Sequence, residues 1–169
     1  MNAQAQPSDR FWLRDYPAGV PADIDPDSVP SLNHLFEQPC RDHAAKPAFS
    51  NMGRTLTYGQ VDELSRRFGA WLQHDAGLRK GDRVGLMIPN ILQYPVANIG
   101  ALRAGMTVVN VNPLYTAREL EHQLNDSGAS AIVIFENACA TLDQVIAATP
   151  VRRVVVTGIG DLLGFPKGL

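Results

Sequence analysis

Cysteine is almost missing from this chain. Cys40 and Cys139 are the two present in 169 residues, far apart and in no C-x-x-C spacing. Two lone thiols give no disulfide framework, and they fit a reducing compartment where cysteine acts as a small apolar residue. Long apolar runs are missing too. No stretch approaches the ~18 uninterrupted apolar residues of a spanning helix, and "MNAQAQPSDR" lacks the apolar centre of a signal peptide. Nor does one sign of charge dominate, because 15 basic residues oppose 17 acidic ones for a net charge of −2. Phosphate-backbone binding needs a concentrated positive face, so nucleic acid is excluded as the main partner. A local basic cluster could still hold one phosphate group. The expected setting is the cytoplasm.

Several chemical signatures are absent as well. No G-x-x-x-x-G-K-[ST] cradle exists, and no serine is framed as G-x-S-x-G. His34, His43, His74 and His122 form no H-x-x-x-H pair and no Cys/His grouping, so no metal ligand is assigned. "VVVTGIGDLLGFPKG" offers a strand followed by Gly158-x-Gly160. Gly164 comes one residue late for a dinucleotide fingerprint, however, and Pro166 would spoil the required helix. A surface loop is the simpler reading.

What is present is a core-forming pattern, with 45% hydrophobic residues in a length suited to one domain. Residues 1–30 hold Pro17, Pro21, Pro26 and Pro30 and show little periodicity. They predict an extended N-terminal arm whose Phe11, Trp12 and Tyr16 dock on a surface. Residues 31–169 predict an α/β unit. Ser31 opens a helix with Leu32, Leu35 and Phe36 on one face, with Pro39 near its end. "PAFSNMGRTLTY" predicts two strands about an Asn51-Met52-Gly53 turn. Thr57 and Gln60 stand at capping-box spacing before a helix carrying Val61, Leu64, Phe68, Trp71 and Leu72.

From Arg83 onward, strand and helix alternate. "VGLMIP", "TVVNV", "AIVIF" and "RVVVT" are short, nearly continuous apolar runs, as expected of parallel strands covered by helices. Asn90 is expected to cap a helix running toward Arg103 and interrupted early by Pro95, with Gly105 ending it in the left-handed region. Thr116 and Glu119 form a second capping box, and a stop lies between Asn125 and Gly128. A further helix is expected around Leu142, Val145 and Ile146. The fold class is therefore α/β, a mostly parallel sheet flanked by helices. "NPLY", with Asn112, Pro113 and Tyr115, links a strand to a helix at the C-terminal end of the sheet, where open α/β sheets place ligands.

"LTYGQVDELSRRFGAWLQ" and "GLRKGDRVGLMIPNILQYPVANIGALRAGMTVVNVNPLYTARELEHQLNDSG" resemble the N-terminal part of the adenylate-forming acyl-CoA synthetases. "WLRDYPAGVP", "SLNHLFEQ" and "PAFSNMG" narrow the resemblance to the bacterial long-chain fatty acyl-CoA synthetases, across roughly Trp12 to Gly158. The resemblance implies a parent that joins a fatty acid to coenzyme A through an acyl-adenylate, consuming ATP with Mg²⁺. The family's phosphate loop, its adenine and ribose contacts and its catalytic lysine would lie beyond Leu169. The chain is therefore expected to be an N-terminal fragment, an incomplete subdomain without catalytic residues and with no cofactor bound.

The resemblance further implies that the coenzyme A nucleotide lies near "LRAGMTV" and "NPLY". Arg103 becomes the leading candidate for a phosphate contact, since a guanidinium suits phosphate oxygens. Asn112 and Tyr115 are the weaker candidates. A cation favoured by the helix dipole is the alternative account of Arg103. Related enzymes also imply homodimer contacts through the arm, and the apolar substrate implies peripheral association with the inner membrane. A different class of function also remains open, a non-catalytic binding or dimerisation module on the same sheet.

Overall fold

The computed structural model describes residues 10–164, which divide into two compact units at Pro30/Ser31. The first unit is not a continuous extension. Single 3-10 turns occupy Phe11–Asp15 and Pro26–Ser28. Arg10 ties its ends, donating to both carboxylate oxygens of Asp23 at 2.7 and 3.0 Å and to the Ala22 carbonyl. Phe11 and Ile24 remain 68% and 88% exposed. The stretch of the expected arm before Arg10 lies outside the described residues, as does Pro166.

The second unit opens with α1 (Leu32–Asp42), whose Ser31 hydroxyl accepts from the His34 amide. Pro39 lies inside this helix near its end, three residues before the last. Leu32 and Leu35 are exposed and only Phe36 of that expected face packs inward. Next come β1 (Pro47–Asn51) and β2 (Arg54–Thr57), an antiparallel hairpin. Met52 and Gly53 both have positive φ (48° and 78°), the backbone that a two-residue turn needs to match the strand twist. The capping box of Thr57 and Gln60 then starts α2 (Tyr58–His74). Its buried stripe is Val61, Ser65, Gly69 and Leu72, while Trp71 stands at the surface, stacked on Phe68.

The core is a four-stranded parallel sheet in the order β4–β3–β5–β6, formed by β3 (Arg83–Met87), β4 (Thr107–Asn110), β5 (Ala131–Phe135) and β6 (Arg153–Thr157). After β3, the helix α3 (Gln93–Arg103) carries the chain to β4 on one side. The helix α4 (Ala117–Ser127) then returns it past β3 to β5 on the other side. Strand alternation divides the apolar side chains between two faces. Val84, Leu86, Ala131 and Val133 join Ala97 and Ala101 of α3 and Leu72 of α2. Met87, Ile132 and Ile134 join Leu120 and Leu124 of α4 and Leu142.

Two further details depart from the sequence expectation. The helix toward Arg103 begins at Gln93 without a side-chain cap, so Asn90 does not serve as one. Pro95 therefore falls in the first turn, where its missing N–H has no intrahelical partner to lose, and it interrupts nothing. The helix after β5 is also short. α5 spans Cys139–Asp143, and a separate 3-10 turn follows at Ile146–Ala148. Gly105 (φ 80°) and Gly128 (φ 63°) take the left-handed backbone expected after α3 and α4.

Candidate functional site

Sheet order fixes where a ligand crevice can open. The connections leave β3 in one direction and approach β5 from the other, so their C-terminal ends diverge at a topological switch point. Thr157 and the Gly158 amide both donate to Asp161, at 2.8 and 2.9 Å, which folds the chain after β6 back on itself. The glycine-rich segment here is a turn, and no helix follows β6 among the described residues. Gln93, buried at the start of α3, donates to the Gly158 carbonyl at 2.6 Å. The Glu136 carboxylate lies so close that a Cβ at Gly158 would meet it at 3.1 Å. An open, mainly apolar pocket of about 180 Å³ lies beside this edge, lined in part by Phe68, Val96, Val133, Val155 and Leu162.

At the end of β4, Asn110 accepts from Tyr94 Oη through its side chain (2.8 Å) and from Gln123 through its carbonyl (2.9 Å). The "NPLY" link is built for turning. Asn112 Oδ1 accepts from the Leu114 amide at 3.0 Å, and its carbonyl accepts from the Tyr115 amide at 3.1 Å. Such an Asx turn reverses the chain with local hydrogen bonds. Tyr115 packs partly against the Leu120–Leu124 side of the core. Thr116 and Glu119 then close their reciprocal cap. The Glu119 carboxyl is held below its ordinary value first by the Thr116 amide and then by the Thr116 hydroxyl.

Arg103 lies at the other end of β4. Four strand residues, each rising about 3.3 Å, part it from Asn112 and Tyr115, so the three candidates form no single side-chain cluster. Its side chain is 9% exposed and turned inward. Nη2 pairs with Asp62 at 2.5 Å, and Nη1 donates to the Asp62 carbonyl and to Ser65 Oγ at 3.0 and 2.9 Å. Glu37 of α1 stands 3.8 Å from Nε. Burial alone would raise the Asp62 carboxyl, but hydrogen bonds from Arg103 and Arg66 outweigh it and hold the group below its usual value. This cluster fastens α1, α2 and α3 together. The i,i+4 spacing of Asp62 and Arg66 is visible in sequence, whereas the Asp62–Arg103 pairing across two helices is not. Gln93, Asn110, Glu136 and Asp161 likewise lacked any motif, because only the sheet edge assembles them.

Neither end holds a metal set. Among the described residues no group of three or more His, Cys, Asp and Glu side chains could bind an ion. The Mg²⁺ implied by resemblance has no fit in this part of the chain, and no step is routed through it here. No helix among the described residues is long and apolar enough to cross a membrane.

The long-chain-fatty-acid–CoA ligase of Escherichia coli O6:H1 is 58% identical over 159 residues, covering 94% of this chain and 28% of that protein. The enzyme of the same name from Salmonella typhimurium is 57% identical with the same coverage. Among solved structures, a long-chain-fatty-acid–CoA ligase from Archaeoglobus fulgidus superposes with a TM-score of 0.67 at 28% identity, over 75% of this chain and 27% of that one. The chain thus spans little more than a quarter of the length of these relatives. The model of the AMP-binding enzymes matches residues 36–168, which takes in the whole sheet and every helix packed on it, and to that family the chain belongs.

Proposed function

We propose that these residues form the N-terminal part of a long-chain fatty acid–CoA ligase. The whole protein would convert ATP, a fatty acid and CoA to acyl-CoA, AMP and diphosphate through an acyl-adenylate. The observation that carries this reading is 58% identity along 94% of the chain to a ligase of that name. ATP and Mg²⁺ would be held by the remainder of such a protein, since the sequence contains no phosphate-loop motif and the described residues contain no metal set. The test is AMP release by the product of the whole reading frame containing these residues, supplied with palmitate, CoA, ATP and Mg²⁺. Release that depends on palmitate supports the reading, and release without any acyl acceptance overturns it. The 169-residue chain alone is expected to turn over nothing.

Within that reading, the C-terminal edge of the sheet near Asn112 and Tyr115 is the better place for the CoA nucleotide. Arg103 is proposed as a structural residue, because its guanidinium is already committed to Asp62 and Ser65. Arg103→Ala in the whole enzyme should then lower stability without raising the KM for CoA selectively. A selective rise would restore the phosphate contact. Homodimer formation through residues 1–30 has the exposed Phe11, Trp12 and Ile24 in its favour. Residence in the cytoplasm with peripheral attachment to the inner membrane completes the proposal.

A further inference from the structure

The N-terminal edge of the sheet, opposite the candidate ligand crevice, gathers cations that the sequence keeps apart. Arg79 and Lys80 come from the loop entering β3, Arg83 opens that strand, and Arg152 and Arg153 stand at the start of β6. The sheet brings the two segments together. β5 alone separates β3 from β6, which places the two strand starts about 10 Å apart at ~4.8 Å per strand. The link is direct as well, since Arg153 Nε donates to the Ala76 carbonyl at 3.2 Å. All five side chains are exposed.

Their lack of carboxylate partners separates them from the arginines of α1, α2 and α3, and the unpaired Arg54 and Arg118 lie on other elements. On the helical side of the molecule Arg41, Arg66, Arg67 and Arg103 each have a carboxylate partner. None of the five edge cations forms an ion pair among the described residues. The carboxylates nearby are Asp75 at the end of α2, Asp126 in the last turn of α4 and Asp82. Asp82 is occupied in accepting the Arg79 amide at 2.8 Å. The edge is therefore net positive in a chain whose total charge is −2. A second observation lies alongside. α2 runs into this same loop, and its last turn presents Trp71, 37% exposed and stacked on Phe68 with ring centroids 6.1 Å apart. An indole with an apolar body and a polar N–H favours the headgroup level of a bilayer, and cations beside it are drawn to anionic lipid.

We propose that this edge, through Arg79, Lys80, Arg83, Arg152 and Trp71, is a docking surface for anionic phospholipid membranes. It specifies a surface for the peripheral attachment proposed above, and it stands independently of the ligase chemistry. Attachment here leaves the C-terminal edge of the sheet facing away from the bilayer. A short cationic edge flanked by an aromatic suits a headgroup layer better than a nucleic acid, which needs a longer positive track.

Flotation of the whole protein containing these residues with phosphatidylglycerol–phosphatidylcholine vesicles tests it against pure phosphatidylcholine vesicles. Binding is expected only to the anionic vesicles and is expected to fall as salt is raised. The combined variant Arg79→Gln/Lys80→Gln/Arg152→Gln should bind about 100-fold more weakly. A variant with the same net charge, Lys46→Gln/Arg54→Gln/Arg118→Gln, should bind like the parent chain. Trp71→Ala should also weaken binding to the anionic vesicles. No vesicle binding, equal loss in both charge variants, or undiminished binding by Trp71→Ala would overturn the proposal. So would displacement by millimolar inorganic phosphate, which marks a small-anion site, or equally strong binding to duplex DNA, which marks a general polyanion surface.

Discussion

The two faces of the sheet are covered by different means. On one, α4 lies over the strands with an apolar stripe, Leu120 and Leu124, both wholly buried. Its ends are set locally, by the Thr116–Glu119 box and by Gly128 in the left-handed region. On the other, α2 and α3 must first pack on each other. A Cβ at Gly69 would come within 2.9 Å of the Gly100 carbonyl, and one at Gly100 within 2.8 Å of the Ser65 carbonyl and 2.9 Å of Phe68. The helices meet backbone to backbone, and Asp62, Ser65 and Arg103 lock the crossing. One face relies on local signals with an apolar stripe, and the other on close approach with a buried charge pair. A helix held by its own sequence can be recognised in isolation, whereas a helix held by its neighbour cannot.

The sharpest way to break the comparison is Asp62→Ala. It strands a guanidinium that is 9% exposed and should cost about 4 kcal/mol in denaturant unfolding. Replacing the pair together, Asp62→Leu with Arg103→Met, should cost much less, because no charge is left buried alone. The sign of the acid dependence follows from the lowered Asp62 carboxyl. Its contribution is complete above the unfolded value near ~3.9 and is lost as pH falls through the lower folded value. Asp62→Asn should therefore flatten stability against pH in that acid range, as read by chemical unfolding at successive pH values. Equal flattening in Asp126→Asn would assign the effect elsewhere.

On the α4 face, Leu124→Ala should cost about 3 kcal/mol through lost burial and the cavity left behind. It should leave the α2–α3 crossing intact, as amide exchange protection on α2 would report. Gly100→Ala comes next, at about 2 kcal/mol, since the added methyl meets backbone rather than a movable side-chain tip. A neutral result would mean that the two helices can part at little cost. Thr116→Ala is the smallest, about 1 kcal/mol for a lost cap, measured as a shift in thermal midpoint. A loss as large as that of Asp62→Ala would erase the distinction between the faces.

The same contrast explains what could be read beforehand. Thr57 with Gln60, Thr116 with Glu119, the Met52-Gly53 turn and the four strands depend on residues a few positions apart, and all are found where spacing puts them. The features that escaped depend on distance along the chain. Asn90 looked like a cap because polarity before an apolar run is a local signal, yet the first turn forms later, at Gln93, and absorbs Pro95. Leu32 and Leu35 looked core-facing by periodicity, which cannot tell an inward face from an outward one. Arg103 looked available at a helix end, and Asp62, on the preceding helix, had already engaged it.

Composition and local pattern thus determined the α/β class, the hairpin, the two capped helices and the turn made by Asn112 in "NPLY", because each follows from hydrogen bonds and side-chain periods within one or two turns of chain. Tertiary structure decided the order of the strands and with it the candidate ligand edge. It also decided the backbone contact of Gly69 with Gly100, the burial of Arg103 and the joining of Arg79, Lys80 and Arg83 with Arg152 and Arg153 on one side. Those outcomes rest on which surfaces meet after the chain crosses over β3, and no period or motif within a segment carries that information.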